Sequence, residues 1–492
     1  MAVSRMSERE VTFDVDDGWE VPALGEVVPD GGRVETATHE LVATYVDTET
    51  STLRLLGLTL RHRQGGSDAG WHLKVPAGSA RTEIHTDAAS DVVPQALSQR
   101  LDGLVMGAAL RPVATIRTTR RVTRVLTSRG RLVFEVADDL VTGSRLDESG
   151  EEGPTIAWRE IEVELGPGGS EAELSQVVVL FGDAGARPAA VQRKIDHVLG
   201  EPRMRQRSGI PGVLADYVAA QCGAILTGDV LLRDDPTSDA VHQTRVAIRR
   251  LRSSLRSLHR LVDLDPEALS RADEDLRWLG QMLSPIRDGD ILGQHVNAEL
   301  DALPRSDVVG PVREEVRRFL TTDRREAVER WRESWRDDHY RRVMAMCRLW
   351  YVSPPVREDV SHQAGKALRK ARRRLERRLD AALAVSPPDP HGLHQARKAA
   401  KRLRYLGDLL GERSDELSDD HPGEWVKGAR RESKRAKRLQ EVLGEHQDLV
   451  VLSDFLRRMA RGPVHNGFTY GLLAGRVDER MARVRSRISS DL

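Results

Sequence analysis

Apolar residues recur at every second position through the first 200 or so residues of this chain, and at a helical period from about residue 210 onward. Side chains alternate between the two faces of a strand but return to one face of a helix every three to four residues. One change of period therefore divides the chain into a β-rich part and a helical part. The alternation is plain in Leu58-Thr59-Leu60-Arg61-His62-Arg63 and Trp71-His72-Leu73-Lys74-Val75, short runs broken by Gly, Pro and Asp. The predicted organisation is multi-domain α+β: an N-terminal domain over 1–200, a linker over 201–209, and an all-α domain over 210–490, with a second break at Ser386-Pro387-Pro388-Asp389-Pro390.

The helical part repeats itself. His242-Gln243-Thr244-Arg245-Val246-Ala247-Ile248-Arg249-Arg250-Leu251-Arg252 matches His394-Gln395-Ala396-Arg397-Lys398-Ala399-Ala400-Lys401-Arg402-Leu403-Arg404 at seven of eleven positions. Downstream, Leu279 to Leu283 followed by Arg287-Asp288 corresponds to Leu439 to Leu443 followed by Gln447-Asp448. A duplicated helical bundle is the simplest architecture that produces such a repeat.

With His242 at zero on a helix turning about 100° per residue, Arg245, Arg249 and Arg252 fall near 300°, 340° and 280°. Val241, Ile248, Leu251, Leu255 and Leu258 occupy the opposite side and predict the buried face. In the second copy His394, Arg397, Lys398, Lys401, Arg404 and Tyr405 share the corresponding stripe, opposite Leu393, Ala396, Ala400 and Leu403. A third helix from His362 to Leu379 aligns His362, Lys366, Arg369, Arg373 and Arg377, so three cationic stripes are expected to converge. Residues 361–410 hold 13 Lys+Arg against 4 Asp+Glu, a density that repels itself unless an anion runs along it. Arg and Lys suit phosphate oxygens because several charge-assisted hydrogen bonds form at once. The histidines either donate to phosphate as well or hold the start of each helix by structural hydrogen bonds, while Asp288 and Asp448 are expected to orient arginines.

Composition narrows the remaining classes. At 31% charged and 4% aromatic the chain is helix-rich rather than a β-sandwich throughout. With no apolar run of about 18 residues and a polar, charged N-terminus, the expectation is a cytoplasmic protein without a membrane partner. Cys222 and Cys347 have no metal-like spacing and read as plain thiols. A formal net charge of zero conceals 21 Lys+Arg against 31 Asp+Glu in residues 1–200 and 55 against 45 in the rest. One anionic ligand met by metal ions in the first part and by bare cations in the second would reconcile the two. Nucleic acid is disfavoured as a partner, since the stripes offer Tyr405 as their lone aromatic for stacking. The alternative to catalysis is a non-catalytic adaptor for a polyanion such as nucleic acid or an acidic protein.

In the N-terminal part, Glu8 and Glu10 share one face of the opening strand, as do Glu160, Glu162 and Glu164 further on. Glu8, Glu10, Asp138, Glu160 and Glu162 are candidate ligands for Mg²⁺ or Mn²⁺, which favour carboxylate and water oxygens. Arg61, Arg63, Lys74 and Arg117 are candidates to hold the phosphates of a linear substrate; with Glu8 and Glu10 they form the predicted catalytic set. Metal and cations on either side of a phosphoanhydride supply the charge neutralisation and positioned water that hydrolysis needs.

The two His-x-x-Arg-x-x-x-Arg/Lys-Arg-Leu-Arg segments and the two Leu-x-x-x-Leu…Asp segments resemble the CHAD family, the conserved-histidine α-helical domains, over roughly 207–490. That resemblance implies two pseudo-symmetric four-helix bundles around a basic groove for inorganic polyphosphate. The opening Glu-x-Glu, the stretch ending Leu60-Arg61-His62-Arg63, Gly70-Trp71-His72-Leu73-Lys74 and Trp158-Arg159-Glu160-Ile161-Glu162-Val163-Glu164 resemble the CYTH family, the triphosphate tunnel metalloenzymes, over 1 to about 200. It implies an antiparallel β-barrel with flanking helices, lined inside by charge and acting on triphosphate-type small anions as a metal-dependent triphosphatase. The family signature is Glu-x-Glu-x-Lys, and this chain carries Thr12 where the Lys belongs. Thr119 also stands where a cation is expected beside Arg117. Loss of a phosphate contact predicts a weakened or altered hydrolase.

Overall fold

The computed structural model describes residues 3–16, 18–77, 80–202, 207–233, 236–358, 361–385, 388–411, 423–461 and 467–491. The chain divides into two compact units, Met1–Met204 and Arg205–Leu492. Residues 203–206 of the predicted linker, and Ser386 and Pro387 of the second break, lie outside the described residues.

In the first unit the strands are β1 (Val3–Glu8), β2 (Glu10–Asp14), β3 (Arg33–Asp47), β4 (Thr59–Gln64), β5 (Gly70–Ala77), β6 (Ala80–Thr86), β7 (Arg111–Leu126), β8 (Leu132–Leu146), β9 (Glu152–Leu165) and β10 (Arg187–Pro188). Their spatial order is β1-β6-β5-β4-β3-β7-β8-β9-β2-β10, and every pairing is antiparallel. β1 and β2 are one strand interrupted at Arg9. Its first half places Glu8 opposite Arg81 of β6, and its second half places Glu10 opposite Glu164 of β9. The two ends of the sheet thus meet in one piece of chain and the sheet closes as a barrel.

Four helices attend the barrel: α1 (Thr52–Leu55), α2 (Gln95–Val105), α3 (Glu171–Asp183) and α4 (Lys194–Leu199). Ser170 and Glu173 cap the start of α3 reciprocally. Its Val177 and Phe181 then bury against Phe13, Phe134, Ile161 and Val163 on the outer wall. By contrast α4 sends Ile195 inward among Ala43, Tyr45, Ala114, Ile116 and Val141, so it fills one end of the lumen. Gly143 of β8 permits this approach, because a Cβ there would stand 2.5 Å from Val198.

The second unit is helical: α5 (Gly209–Leu232), α6 (Ser238–Ser257), α7 (Pro266–Asp301), α8 (Val312–Ser334), α9 (Asp338–Val352), α10 (Ser361–Leu383), α11 (Pro390–Gly411), α12 (Gly423–Arg461) and α13 (Gly467–Asp491). α5, α6, α7 and α9 pack as one group and α10 to α13 as another, with α6 and α11 in contact between them. α8 runs beside α7 and reaches the second group, where Tyr470 donates to Glu315 at 3.0 Å and Phe319 lies 5.7 Å from Phe455. Helix starts are fixed by side chains, as where Asp265 accepts from the Ala268 N–H at 2.7 Å to open α7.

The predicted apolar faces are the buried ones: Val241, Ile248, Leu251, Leu255 and Leu258 on α6, and Leu393, Ala396, Ala400 and Leu403 on α11. α5 is long and apolar enough to cross a membrane by length and composition, and 61% of its apolar window is buried inside the bundle. A helix surrounded by partners is apolar on every side, and the few polar residues interspersed along it hid that run in the sequence. Cys222 of α5 and Cys347 of α9 are both buried, with their thiols in hydrogen-bond contact.

Candidate functional site

Strand pairing decides which residues face the barrel lumen. Glu160 lies opposite Asp139, Glu162 opposite Ala137 and Thr12, and Glu164 opposite Glu135 and Glu10. On the other wall Lys74 lies opposite Glu83 and Thr59, and Arg61 and Arg63 are neighbours of His72 and Gly70. The structure therefore brings together Glu8, Glu10, Arg61, Arg63, Lys74, Glu160 and Glu162 of the predicted set. Lys74 Nζ stands 2.7 Å from Glu8 and 3.4 Å from Glu10, and Arg81 also contacts Glu10. His72 Nδ1 is 2.7 Å from Glu83.

Two predicted residues lie on the wrong face. Arg117 points outward and forms a two-point contact with Glu152 at 2.9 and 2.6 Å. Asp138 points outward to Arg159 at 2.9 Å. Both are on the wrong parity of their strands: on the lumen face are Arg120, three residues on from Arg117, and Asp139, next to Asp138, which bind each other at 2.8 and 2.6 Å. Thr119 likewise faces out, donating to Glu40 at 2.9 Å, so it marks no missing lumen cation. Thr12, in contrast, is a buried lumen residue opposite Glu162, and the gap it leaves there is real.

Lys194 of α4, absent from the predicted set, projects into this region. Its ammonium lies 3.0 Å from Asp139 and 2.7 Å from Glu162, and also contacts Glu160. It stands beside the cross-strand partner of Thr12, where the signature lysine is missing. A signal for it existed: of 21 Lys+Arg in residues 1–200, Lys74 and Lys194 are the lysines, and both reach the lumen.

The charges in the lumen are unevenly compensated. Burial acts to raise the Glu162 carboxyl, but Lys194 and Arg120 outweigh it and hold the group well below its ordinary range. Burial, then a hydrogen bond shared with Glu83, pushes Glu8 up to about 8 despite Lys74. Burial, with Glu10 and Glu135 adding to it against Lys74, pushes Glu164 up to about 7. Asp139, Glu160 and Glu162 offer oxygens within 4.8 Å of one another, and Lys194 and Arg120 set two positive charges against these three carboxylates. Burial raises Glu160 as well, so Glu8, Glu160 and Glu164 are the lumen carboxyls pushed up by their surroundings. A divalent cation favours such hard oxygen donors, and the Asp139, Glu160 and Glu162 group keeps two residues of the predicted metal set while replacing Asp138 with its neighbour Asp139.

In the helical unit, the two copies of the repeat face each other through α6 and α11. Arg249 Nε donates to the hydroxyl of buried Tyr405 at 2.8 Å, and Arg249 and Arg250 each stand 5.9 Å from its ring centre. Arg245 pairs with Asp288 at 2.7 Å and Arg397 with Asp448 at 3.9 Å, the same contact made once in each copy. His394 Nδ1 meets Gln447 Oε1 at 2.8 Å. Its counterpart His242 lies beside Arg287, the residue equivalent to Gln447. Burial, then Arg287 and Arg249, pushes His242 down; burial, then Lys398, does the same to His394. Lys401 is held between Arg397 and Arg249: burial first, then those two guanidiniums, lower its amine to about 7.

Other stripe residues diverge. Arg252 turns to Asp273 at 3.1 Å, and Arg404 to Gln440 at 3.4 Å and Asp408 at 3.5 Å. Lys398 is exposed beside His394. Arg369 and Arg373 lie on the exposed flank of α10 and hydrogen-bond to none of the described groove residues. The side chain of His362 lies outside the described residues.

Comparison with known proteins follows the same division. Residues 6–179 match the CYTH domain family and residues 216–457 the CHAD domain family. An uncharacterized protein of Mycobacterium tuberculosis is 31% identical over 518 aligned positions, spanning 99% of this chain and 96% of its own length. Among solved structures, the CHAD domain from the plant Ricinus communis is 19% identical and covers 58% of this chain and 95% of its own, with a TM-score of 0.44. PptA from Streptomyces chartreusis is 18% identical, covering 57% and 98%, at 0.45. The adenylyl cyclase-like HpAC1 from Hippeastrum, described as having a dominant triphosphatase activity, is 14% identical, covering 40% and 97%, at 0.21.

Proposed function

Because this chain belongs to the proteins that join a CYTH domain to a CHAD domain, we propose that its helical unit binds inorganic polyphosphate and its tunnel takes triphosphate-type anions with a divalent cation. The observation that carries the reading is Lys401. An amine half-buried between Arg397 and Arg249, lowered to about 7, is a cation lacking its counter-charge. A polyanion laid between α6 and α11 supplies that charge along with several charge-assisted hydrogen bonds. Tyr405 fixes Arg249, and Asp288 and Asp448 aim Arg245 and Arg397, so the donors are ordered before ligand arrives.

In the tunnel, Arg61, Arg63, Lys74, Arg120 and Lys194 offer cations to a linear phosphate, with Asp139, Glu160 and Glu162 grouped closely enough to hold Mg²⁺ or Mn²⁺ and Glu8 and Glu10 beside Lys74. Bound there, the metal neutralises phosphate charge and lowers the pKa of a water. The chain's own residues position the phosphates and, through α4, close one end of the lumen. Thr12 removes one cation, so hydrolysis is expected to run slower than in a tunnel with the full signature. A cytoplasmic location is part of the same proposal, consistent with the burial of α5.

The test is titration of the full chain with long-chain inorganic polyphosphate, beside a variant carrying Arg249→Ala, Arg397→Ala and Lys401→Ala. Affinity retained in that variant removes the groove reading. Displacement of the polymer by double-stranded DNA at equal phosphate concentration moves the assignment to nucleic acid.

A further inference from the structure

The cationic surface of the helical unit does not end at the His-led stripes. Arg256 lies two turns beyond Arg249 on α6 and continues the same face. It shares Asp273 with Arg252. On α11 Gln395 and Arg402 are likewise two turns apart, on a face turned roughly 100° from the His394–Lys401 line. Arg378 of α10 donates to Gln395 Oε1 at 3.1 Å. Because α10 and α11 are consecutive and joined by a short connection, with Asp389 N–H donating to the Ala382 carbonyl at 3.2 Å, they run antiparallel. Arg374, one turn back from Arg378, thereby comes level with about Ala399, one helical turn short of Arg402, and its guanidinium still acts on Arg402.

The electrostatics agree with that register. After burial, the groups that depress Arg402 are Arg374, Arg256 and Arg378, and Asp273 alone opposes them. Among the described residues no carboxylate forms an ion pair with Arg374, Arg378 or Arg402. Glu376, the acid between Arg374 and Arg378, is engaged by Arg372 and Arg435, and Asp408 by Arg404 and Ser433. A guanidinium cannot shed its proton to relieve crowding as Lys401 can. Arginines gathered around one already shared carboxylate therefore await an anion from outside.

We propose that Arg256, Arg374, Arg378 and Arg402 form a second anion station, which takes the phosphates of an inorganic polyphosphate chain too long for the groove between Arg249, Arg397 and Lys401. The station rests on the polyphosphate reading above and adds a length preference to it: short chains engage the groove, and long ones engage both places. α6 connects the two, since one helix face carries Arg249 in the groove and Arg256 at the station.

The experiment uses the full chain, long-chain inorganic polyphosphate and a series of salt concentrations. In Arg374→Gln/Arg402→Gln, affinity for the long chain is expected to fall about tenfold, and the slope of log K against log salt to shrink by about 1.4 for two lost phosphate contacts. Arg374→Glu, at an exposed position, should give a similar loss while its thermal midpoint is unchanged or raised, which separates loss of binding from loss of fold. If the parent binds long-chain polyphosphate and Arg249→Gln/Lys401→Gln weakens it, but the station variants keep both parental affinity and parental slope, the station is overturned and the groove stands. Failure of the parent itself to bind overturns the polyphosphate reading and the station with it.

Discussion

Replacing Lys401 with methionine tests the physical core of the groove, because it should stabilise the protein while weakening its binding. The amine titrates at about 7 in the folded chain against an ordinary 10.5. Between those values the unfolded chain carries a proton that the folded chain lacks, so the stability of the parent rises with pH across that window. The destabilisation is fully present below about pH 7 and is gone by 10.5. At 1.36 kcal/mol per pH unit the shift corresponds to about 4 kcal/mol at neutral pH as an upper bound, and solvent reorganisation reduces this to about 2 kcal/mol. Lys401→Met removes the titrating group. Urea unfolding followed at 222 nm, where α5 to α13 dominate the signal, should show the variant more stable by about 2 kcal/mol at pH 6.5, with the gain shrinking toward pH 9.5. Its affinity for long-chain polyphosphate should fall about tenfold, since one charge-assisted contact is lost. A variant less stable than the parent at pH 6.5, or a gain identical at both pH values, would refute the claim that this lysine is held without its counter-charge.

Face assignment in the barrel makes a paired prediction: Arg117→Ala and Asp138→Ala should leave phosphate release from tripolyphosphate with Mn²⁺ within about twofold of the parent. Arg120→Ala should lose it and cost about 3 kcal/mol in stability, because Asp139 and Glu162 lose a buried partner. Thr12→Lys should raise kcat/KM for tripolyphosphate at least tenfold if the missing cation is what slows turnover, and no rise in a folded variant would discard that explanation. Lys194→Met leaves Asp139, Glu160 and Glu162 without their ammonium. Added Mn²⁺ should then raise the thermal midpoint of the variant more than that of the parent, and equal shifts would show that those carboxylates are not freed.

Much of this was legible in the amino-acid order. The helical period and the repeated His-x-x-Arg segment located α6 and α11, their buried faces and their cationic stripes, because a helix face follows from spacing alone. The barrel was harder. A one-residue slip exchanges the two faces of a strand, and β7 carries arginine on both faces, at 117 and 121 as well as 120 and 124. Likewise Asp138 and Asp139 sit side by side, and only the cross-strand partners say which of them meets Glu160. Lys194 was out of reach for another reason. It comes from a short helix about thirty residues beyond Glu162, and its place in the lumen depends on Ile195 and Val198 packing inside the wall. The arginines around Arg402 were present in the repeat, but their meeting depends on the pairing of α10 with α11, which spacing within one helix does not encode.

The interruption at Arg9 has a consequence for how the tunnel comes into being. Glu8 and Glu10 sit at a seam, each on the half-strand that fastens one end of the sheet, so neither has its lumen neighbours until β6 and β9 have both been captured. Assembly of the charged lumen face and capture of the β6 and β9 edges are then a single event. Until it happens the molecule exposes two open strand edges, which are templates for pairing with other chains, and a cut after the eighth residue would recreate that vulnerable state in an otherwise intact protein.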